Sequence, residues 1–201
     1  MAIHILDNNI FVLETKNTHY VLGVDKYGYN RHIHWGKKCN INDYEAKDIW
    51  DENSNHTRLD MAKQEFTVFG GTMYRESDLK VQFPDNCREI DLLFVDAKAE
   101  DNTLTVTLKD KFYSLEIALK YRIQDNDDII SRWAEIKNTG NENITLDRAF
   151  SAELTLPSVK PYTIKNTNGS WGGEYVETES TLEGGALVFD SKRGTTGHNQ
   201  S

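Results

Sequence analysis

Short runs in which apolar and polar residues alternate fill most of the chain, and Asp, Asn and Gly separate them. Alternation with a period of two predicts β-strands, and these turn residues predict tight antiparallel connections. One helical turn is predicted within 43–50. The predicted strands are 3–6, 10–14, 20–24, 31–35, 103–108, 115–123, 130–136 and 144–156, the last being the longest run.

The strand pattern predicts an all-β fold. No internal repeat and no clear linker divides the 201 residues, so we expect one domain over 1–201. So many strands in one domain favour a large antiparallel β-sandwich, with two sheets packed face to face. A hydrophobic content of 38% suits sheets that keep one face in water.

Charge and the first residues exclude several classes of protein. The formal net charge of −9 repels phosphate backbones, and no basic stripe opposes it, so we expect no nucleic-acid partner. The first eight residues lack a basic and a long apolar region, and no apolar run could span a bilayer, so we expect a cytoplasmic protein without membrane contact. Cys39 and Cys87 are then predicted to be free thiols.

Two clusters could hold a metal ion. His32 and His34 would share one face of a strand, but no third zinc ligand accompanies them, so a packed histidine pair is favoured. The acidic run 125–128 lacks the Gly and the distant Glu of a calcium loop, so a solvated turn is favoured. We predict no cofactor.

Trp171 is the candidate for sugar contact. It lies between Ser170 and two glycines, Gly172 and Gly173. Tryptophan rings stack on the apolar C–H faces of sugars, but large aromatic residues are more often packed in cores. Taken alone, the residues favour a core tryptophan beneath a loop.

Four blocks carry a family resemblance. They read Tyr-Asn-Arg-His-Ile-His-Trp-Gly-Lys-Lys at 29–38, Leu-Asp-Met-Ala-Lys-Gln-Glu-Phe-Thr-Val-Phe-Gly-Gly-Thr-Met-Tyr-Arg at 59–75, Gly-Ser-Trp-Gly-Gly-Glu at 169–174 and Ser-Lys-Arg-Gly-Thr-Thr-Gly-His at 191–198. In this order they resemble the amino-terminal domain of the family 36 glycoside hydrolases, the microbial α-galactosidases. Thr67 and Met73 depart from the Pro and Asp of the family. The matches in the second block are Leu59, Asp60, Gln64, Glu65, Gly70, Thr72 and Arg75.

The resemblance implies a fold and an activity for a longer protein. The fold would be a large sandwich of the supersandwich, galactose-mutarotase-like type, placed before a (β/α)8 barrel that is absent from 1–201. The barrel would carry both catalytic aspartates and would remove terminal α-galactose from raffinose- or melibiose-type sugars with retention. The chain 1–201 alone is therefore expected to be inactive.

The resemblance also implies site residues and partners. In a homo-oligomer, a dimer or a tetramer, the domain would lend residues to the active site of a neighbouring subunit. Trp171 matches the family's tryptophan, which makes sugar contact the favoured role. The second residue would be Asp48, with Asp51 or Asp43 as alternatives. Arg75 and Arg193 would hold loop geometry.

Two other hypotheses remain open. A stand-alone carbohydrate-binding β-sandwich would bind galactosides by itself. A purely structural or oligomerisation domain would show neither binding nor a kinetic effect of Trp171.

Overall fold

The structure, a computed structural model, describes residues 2–47, 63–70, 76–124, 127–154, 156, 161–170, 173–183 and 185–189. The chain forms two compact units, Met1–Thr155 and Leu156–Ser201. Within the described part, no helix combines the length and the apolar character that crossing a bilayer requires. The strands are β1 (Ala2–Leu6), β2 (Ile10–Glu14), β3 (Thr18–Val24), β4 (Asn30–Lys37), β5 (Leu79–Gln82), β6 (Leu92–Glu100), β7 (Thr103–Asp110), β8 (Leu115–Ile123), β9 (Ile130–Asn138), β10 (Thr145–Ala149), β11 (Tyr162–Ser170) and β12 (Gly173–Leu182).

The first unit contains two four-stranded antiparallel meanders. One sheet has the order β1-β2-β3-β4 and the other the order β6-β7-β8-β9, while β5 pairs with β10. Consecutive strands pair because short turns join them, and Asp101 takes a positive φ of 51° in the two-residue turn between β6 and β7. The antiparallel arrangement predicted from the alternation is confirmed.

The inner faces of the two meanders share one core. Along β7 and β8 every second residue is buried, as the period of two requires. Burying a side chain of this size stabilises a fold by about 1.5–3 kcal/mol. The predicted all-β sandwich is thereby confirmed. The core is lined by Phe11, Leu13, Tyr20, Leu22, Leu104, Val106, Leu108, Leu115, Ile117, Leu119, Tyr121 and Ile123.

The outer face of the first sheet is also covered. Ile10, Val12 and Val21 form a second small core with Tyr44, and Ile41 and Ala46 pack against it. Both faces of β2 are therefore buried, which explains its continuous apolar run.

A short 3-10 turn at Ile41–Asp43 leads into this cover. The side chain of Asn40 accepts a hydrogen bond from the backbone N–H of Asn42 at 3.2 Å and starts the turn. Tyr44, directly after the turn, has extended backbone angles, and residues 44–47 form no helix. The helical turn predicted within 43–50 is therefore wrong over 44–47, and 48–50 lie outside the described residues.

The predicted long strand over 144–156 is wrong beyond Ala149. Its partner β5 has four residues, and the pairing already slips between Leu146 and Arg148. Among the described residues no strand pairs with the rest of this run after Ala149, and the chain leaves the sheet there. Its apolar side chains Leu146, Phe150 and Leu154 are exposed.

The second unit contains the antiparallel hairpin β11–β12. Its strands pair from Tyr162 with Leu182 to Ser170 with Gly173, with a register shift between Asn168 and Ser170. On one face Lys165 forms ion pairs with Glu177 at 3.2 Å and Glu179 at 3.3 Å.

Candidate functional site

The residues predicted to contact sugar fall largely outside the described ranges. Trp171 follows Ser170, which pairs with Gly173 where β11 and β12 meet, but Trp171 itself is not among the described residues. Asp48 and Asp51 are likewise outside them. The alternative Asp43 is described: it is exposed, and its carboxylate accepts a long 3.4 Å hydrogen bond from Asn40. The roles of Trp171 and Asp48 stay predictions.

His32 and His34 do not share a face of β4. Leu22 pairs with His32 and Val21 with His34, so Ile33 is an extra residue that forms a β-bulge. His32 turns inward against Tyr20, whereas the ring of His34 packs on Tyr44 in the outer core. The bulge reverses the expected alternation, and the described residues contain no group of three metal-ligating side chains.

Asp128, at the end of the acidic run, accepts hydrogen bonds that hold two turns together. The carboxylate of Asp128 accepts hydrogen bonds from the Thr15 hydroxyl at 2.6 Å, the Asn17 backbone N–H at 2.7 Å and the Asn17 side chain. These hydrogen bonds, that from Thr15 foremost, lower the pKa of Asp128 to about 2. Asp128 thus ties the turn between β8 and β9 to the turn between β2 and β3. The residues 125 and 126 lie outside the described part.

An extended network of polar side chains surrounds Glu65, which is 1% exposed. One carboxylate oxygen accepts hydrogen bonds from the hydroxyls of Tyr20 at 2.6 Å and Tyr121 at 2.8 Å. The other oxygen lies 3.1 Å from Nδ1 of His32. Burial is the main reason that the pKa values of both tyrosines are raised, and the neighbouring carboxylate raises them further.

Arg132 balances the buried charge. Its guanidinium lies 3.4 Å from the Glu65 carboxylate and donates hydrogen bonds to the backbone carbonyls of Glu65 and of Glu153. The backbone of Glu65 is held against the start of β4, because its N–H donates a hydrogen bond to the Asn30 carbonyl at 3.2 Å. The arrangement joins both meanders to the segment 63–70.

Sequence reasoning gave Glu65 no role beyond a matched position. In the sequence, Glu65 is distinguished only by the alternating apolar residues Phe66 and Val68 that follow it. Its partners are separated from it by 33 to 67 residues in sequence, so the network itself is not readable from the chain.

A second buried carboxylate, Asp78, has one oxygen with no hydrogen-bond partner among the described residues. Its other oxygen accepts from the Thr67 N–H at 3.1 Å, and the Thr67 hydroxyl donates to Glu153 at 2.7 Å. Burial raises the pKa of Asp78 to about 6; Glu153 adds to the rise, and Thr67 and Arg132 oppose it.

We expect the ionisation of Asp78 to reduce stability as pH rises from 4 to 7. Its folded-state pKa of about 6 exceeds the unfolded value of about 3.9, so the folded chain binds more protons between these values and loses stability as pH rises through them. Relative to Asp78→Asn, the wild type should lose about 1–3 kcal/mol of unfolding free energy between pH 4 and pH 7. Urea denaturation at several pH values measures this difference.

Asp128→Asn is the matched control. Because the pKa of Asp128 is lowered, its contribution is present above pH 4 and is lost as pH falls toward 2, which is the opposite trend. A difference between wild type and Asp78→Asn that stays constant from pH 4 to pH 7 would contradict the assignment for Asp78.

A cavity of about 150 Å³ opens beside the Glu65 network. Trp35, which is 41% exposed, stands at its wall with Ile130 and Leu154. Tyr20 and Tyr121 also line it, and their hydroxyls donate to Glu65. The polar side chains Thr18, Asp128 and Arg132 complete the wall, so the cavity combines apolar and polar surfaces.

The buried carboxylates of the described part all accept hydrogen bonds from the chain itself. Asp25 accepts hydrogen bonds from the backbone N–H groups of Tyr27 and Tyr29 and forms an ion pair with Arg31 at 2.7 Å. Asp110 accepts from the N–H groups of three residues, Asp91, Phe112 and Tyr113. With Glu65 and Asp78 engaged as above, these four acids serve the scaffold.

Comparison with known proteins places this scaffold in a family. The family model described as "Glycosyl hydrolase family 36 N-terminal domain" matches residues 28–201. The chain belongs to glycoside hydrolase family 36. The match starts in the turn before β4, and it confirms the resemblance carried by the four sequence blocks.

Relatives of the family 36 domain are similar across nearly the whole chain. Alpha-galactosidase AgaA of Geobacillus stearothermophilus is 25% identical over 95% of this chain and 30% of its own length. The bifunctional alpha-galactosidase/sucrose kinase AgaSK of Mediterraneibacter gnavus is 28% identical over 96% of this chain and 23% of its own. The chain thus spans less than a third of these relatives.

Solved family 36 structures show the same fold. The alpha-galactosidase AgaB from Geobacillus stearothermophilus matches with a TM-score of 0.85 and 26% identity, covering 100% of this chain and 31% of that one. A variant of AgaA in complex with raffinose matches with a TM-score of 0.79 and 26% identity over 95% and 30% of the two chains. The AgaB match includes β1–β3, which precede the stretch matched by the family model.

Proposed function

We propose that this family 36 domain is the non-catalytic amino-terminal part of an α-galactosidase. The observation that carries the proposal is the similarity to AgaB over 100% of this chain but 31% of that enzyme. The longer protein would hydrolyse terminal α-galactosides with retention, through a (β/α)8 barrel outside 1–201. Solved complexes of AgaA variants with raffinose and stachyose support substrates of this type.

The hydrogen bonds of the buried acids support a non-catalytic role. A retaining glycosidase needs two carboxyl groups about 5–5.5 Å apart that flank an accessible bond. The buried carboxylates Asp25, Glu65, Asp78 and Asp110 are instead enclosed, and each accepts hydrogen bonds from its own chain. The charge of Glu65 is further balanced by Arg132.

The finer part of the proposal concerns assembly. In a homo-oligomer the domain would present Trp171, and Asp48 or one of its alternatives Asp51 and Asp43, to the active site of a neighbouring subunit. Pairing of Ser170 with Gly173 supports this role, because it leaves just two residues, Trp171 and Gly172, to connect β11 with β12. An indole ring in such a short connection could face a sugar without contributing to the sandwich core.

Replacing Trp171 with alanine in the full-length enzyme should raise KM for raffinose about tenfold and leave the Tm unchanged. The reason is that stacking of an aromatic ring on a sugar contributes on the order of 1 kcal/mol to substrate binding and does not act in the sugar-free enzyme. Steady-state kinetics with raffinose, together with a thermal melt, measure both quantities.

Trp133→Ala is the matched control, because it removes the same ring from the surface of β9, where the indole N–H donates to Glu135 at 3.3 Å. It should leave KM unchanged. The chain 1–201 assayed alone should release no galactose. An unchanged KM in Trp171→Ala would remove the sugar contact, and turnover by 1–201 would overturn the non-catalytic assignment.

A further inference from the structure

An open pocket of about 230 Å³ lies at one end of the first unit. Three turns enclose it: the chain after β5 at Phe83 and Pro84, the β7–β8 connection at 112–114, and the β9–β10 connection from Asn138 to Ile144. Asp43, the one described residue among the predicted sugar contacts, does not border it.

One wall of the pocket is aromatic and rigid. Tyr113 stacks on the buried Phe83 with ring centres 3.7 Å apart and planes 7° from parallel, and its hydroxyl donates to Asp85 at 2.8 Å. The neighbouring Phe112 is 75% exposed, although its backbone N–H is fixed by a 2.9 Å hydrogen bond to Asp110. A large apolar ring is thus held in water on a fixed backbone.

The opposite wall is a loop fixed by Asn138. The amide of Asn138 donates to the Glu142 carbonyl at 2.7 Å and accepts from the Gly140 N–H at 3.0 Å. Gly140 packs so closely on Ser114 that an added Cβ would lie 2.9 Å from the Ser114 Cβ. The loop therefore keeps its shape without a ligand.

Three polar side chains of the pocket have no hydrogen bond within the described part of the chain: Ser114, Asn141 and Glu142. They supply a hydroxyl, an amide and a carboxylate, which together can both donate to and accept from neighbouring hydroxyl groups. This set contrasts with the buried acids, which are occupied by the chain.

We infer that this pocket binds one ring of a neutral sugar. The apolar C–H face of the ring stacks on Phe112, and its hydroxyls bond to Ser114, Asn141 and Glu142. Pockets for drug-sized ligands have roughly 300–1,000 Å³, so a smaller volume suits a single pyranose. The Glu142 carboxylate and the net charge of −9 disfavour phosphorylated or acidic sugars.

The test is a titration of the 201-residue chain with raffinose in which saturation-transfer NMR monitors binding. We expect saturable binding with a Kd on the order of 1 mM. Phe112→Ala and Asn141→Ala should each weaken it about tenfold, because one removes the stacking face and the other removes hydrogen-bond partners. Both residues are exposed, so a thermal melt should show an unchanged Tm.

Two controls locate the sugar. Phe150→Ala removes another half-exposed ring that does not border the pocket, and it should bind as the wild type does. Trp171→Ala tests the alternative location, the proposed intersubunit site. Binding that survives Phe112→Ala but is lost in Trp171→Ala would place the sugar at the proposed intersubunit site and overturn the inference, as would the absence of saturable binding to the wild type.

Discussion

Replacing Glu65 with alanine should destabilise the folded chain by about 3–5 kcal/mol, because it leaves the largely buried Arg132 guanidinium without its charge partner. The change also removes the acceptor of the Tyr20 and Tyr121 hydroxyls, which are both enclosed in the core. Urea denaturation monitored by tryptophan fluorescence measures the loss of unfolding free energy.

Two further variants separate the loss of the Glu65 charge from the general effect of removing a carboxylate. Glu65→Gln keeps the volume and one acceptor oxygen, so it should lose less stability than Glu65→Ala. Glu100→Ala removes an exposed carboxylate at the end of β6 and should change stability by no more than about 0.5 kcal/mol. A loss below about 1 kcal/mol for Glu65→Ala would mean that the network around it is not a stabilising unit.

Replacing Gly70 with alanine should destabilise the fold by about 2–4 kcal/mol. Its φ of +125° is a conformation that L-residues rarely adopt, which costs about 1–3 kcal/mol. An added Cβ would also lie 2.7 Å from Cγ of Glu89 and 3.2 Å from both Cα of Glu89 and the backbone nitrogen of Ile90. The backbone cannot easily move away, because the Ile90 N–H donates to the Phe69 carbonyl at 3.0 Å.

Gly28→Ala separates strain from crowding. Gly28 also has a positive φ, +91°, but its added Cβ would meet the nearest atom, Cδ2 of Leu93, at an ordinary 3.5 Å. It should therefore lose only about 1–2 kcal/mol. Equal losses in the two variants, measured by the same denaturation, would show that the contact with Glu89 contributes nothing.

The fold was largely predictable because local alternation decides which strand face is buried. Leu104, Val106 and Leu108 point inward as their spacing of two requires. The same rule failed at 144–156, where the four-residue partner β5 ends the pairing, and at His32 and His34, where the bulge at Ile33 changes the face. Partner length and bulges depend on strands distant in sequence, so the local pattern does not contain them.

The site was less predictable than the fold. Trp171 and Asp48 were chosen through the family resemblance, and they remain predictions. The roles of Glu65 and of the pocket beside Phe112 depend on turns and strands brought together only by folding. A single acidic or aromatic residue in a sequence does not say which others will surround it.

The segment that covers the outer face of the first sheet also limits how far the candidate aspartates can lie from that sheet. Tyr44 is fixed there by a 2.9 Å contact between its hydroxyl and His19 and by its packing on His34. An extended chain advances at most about 3.6 Å per residue, so the Cα of Asp48 can lie no more than about 14 Å from that of Tyr44, and the Cα of Asp51 no more than about 25 Å. The three candidate aspartates therefore have different limits: Asp43 belongs to the turn itself, whereas Asp48 and Asp51 are tied to Tyr44 by chain lengths of at most about 14 Å and about 25 Å.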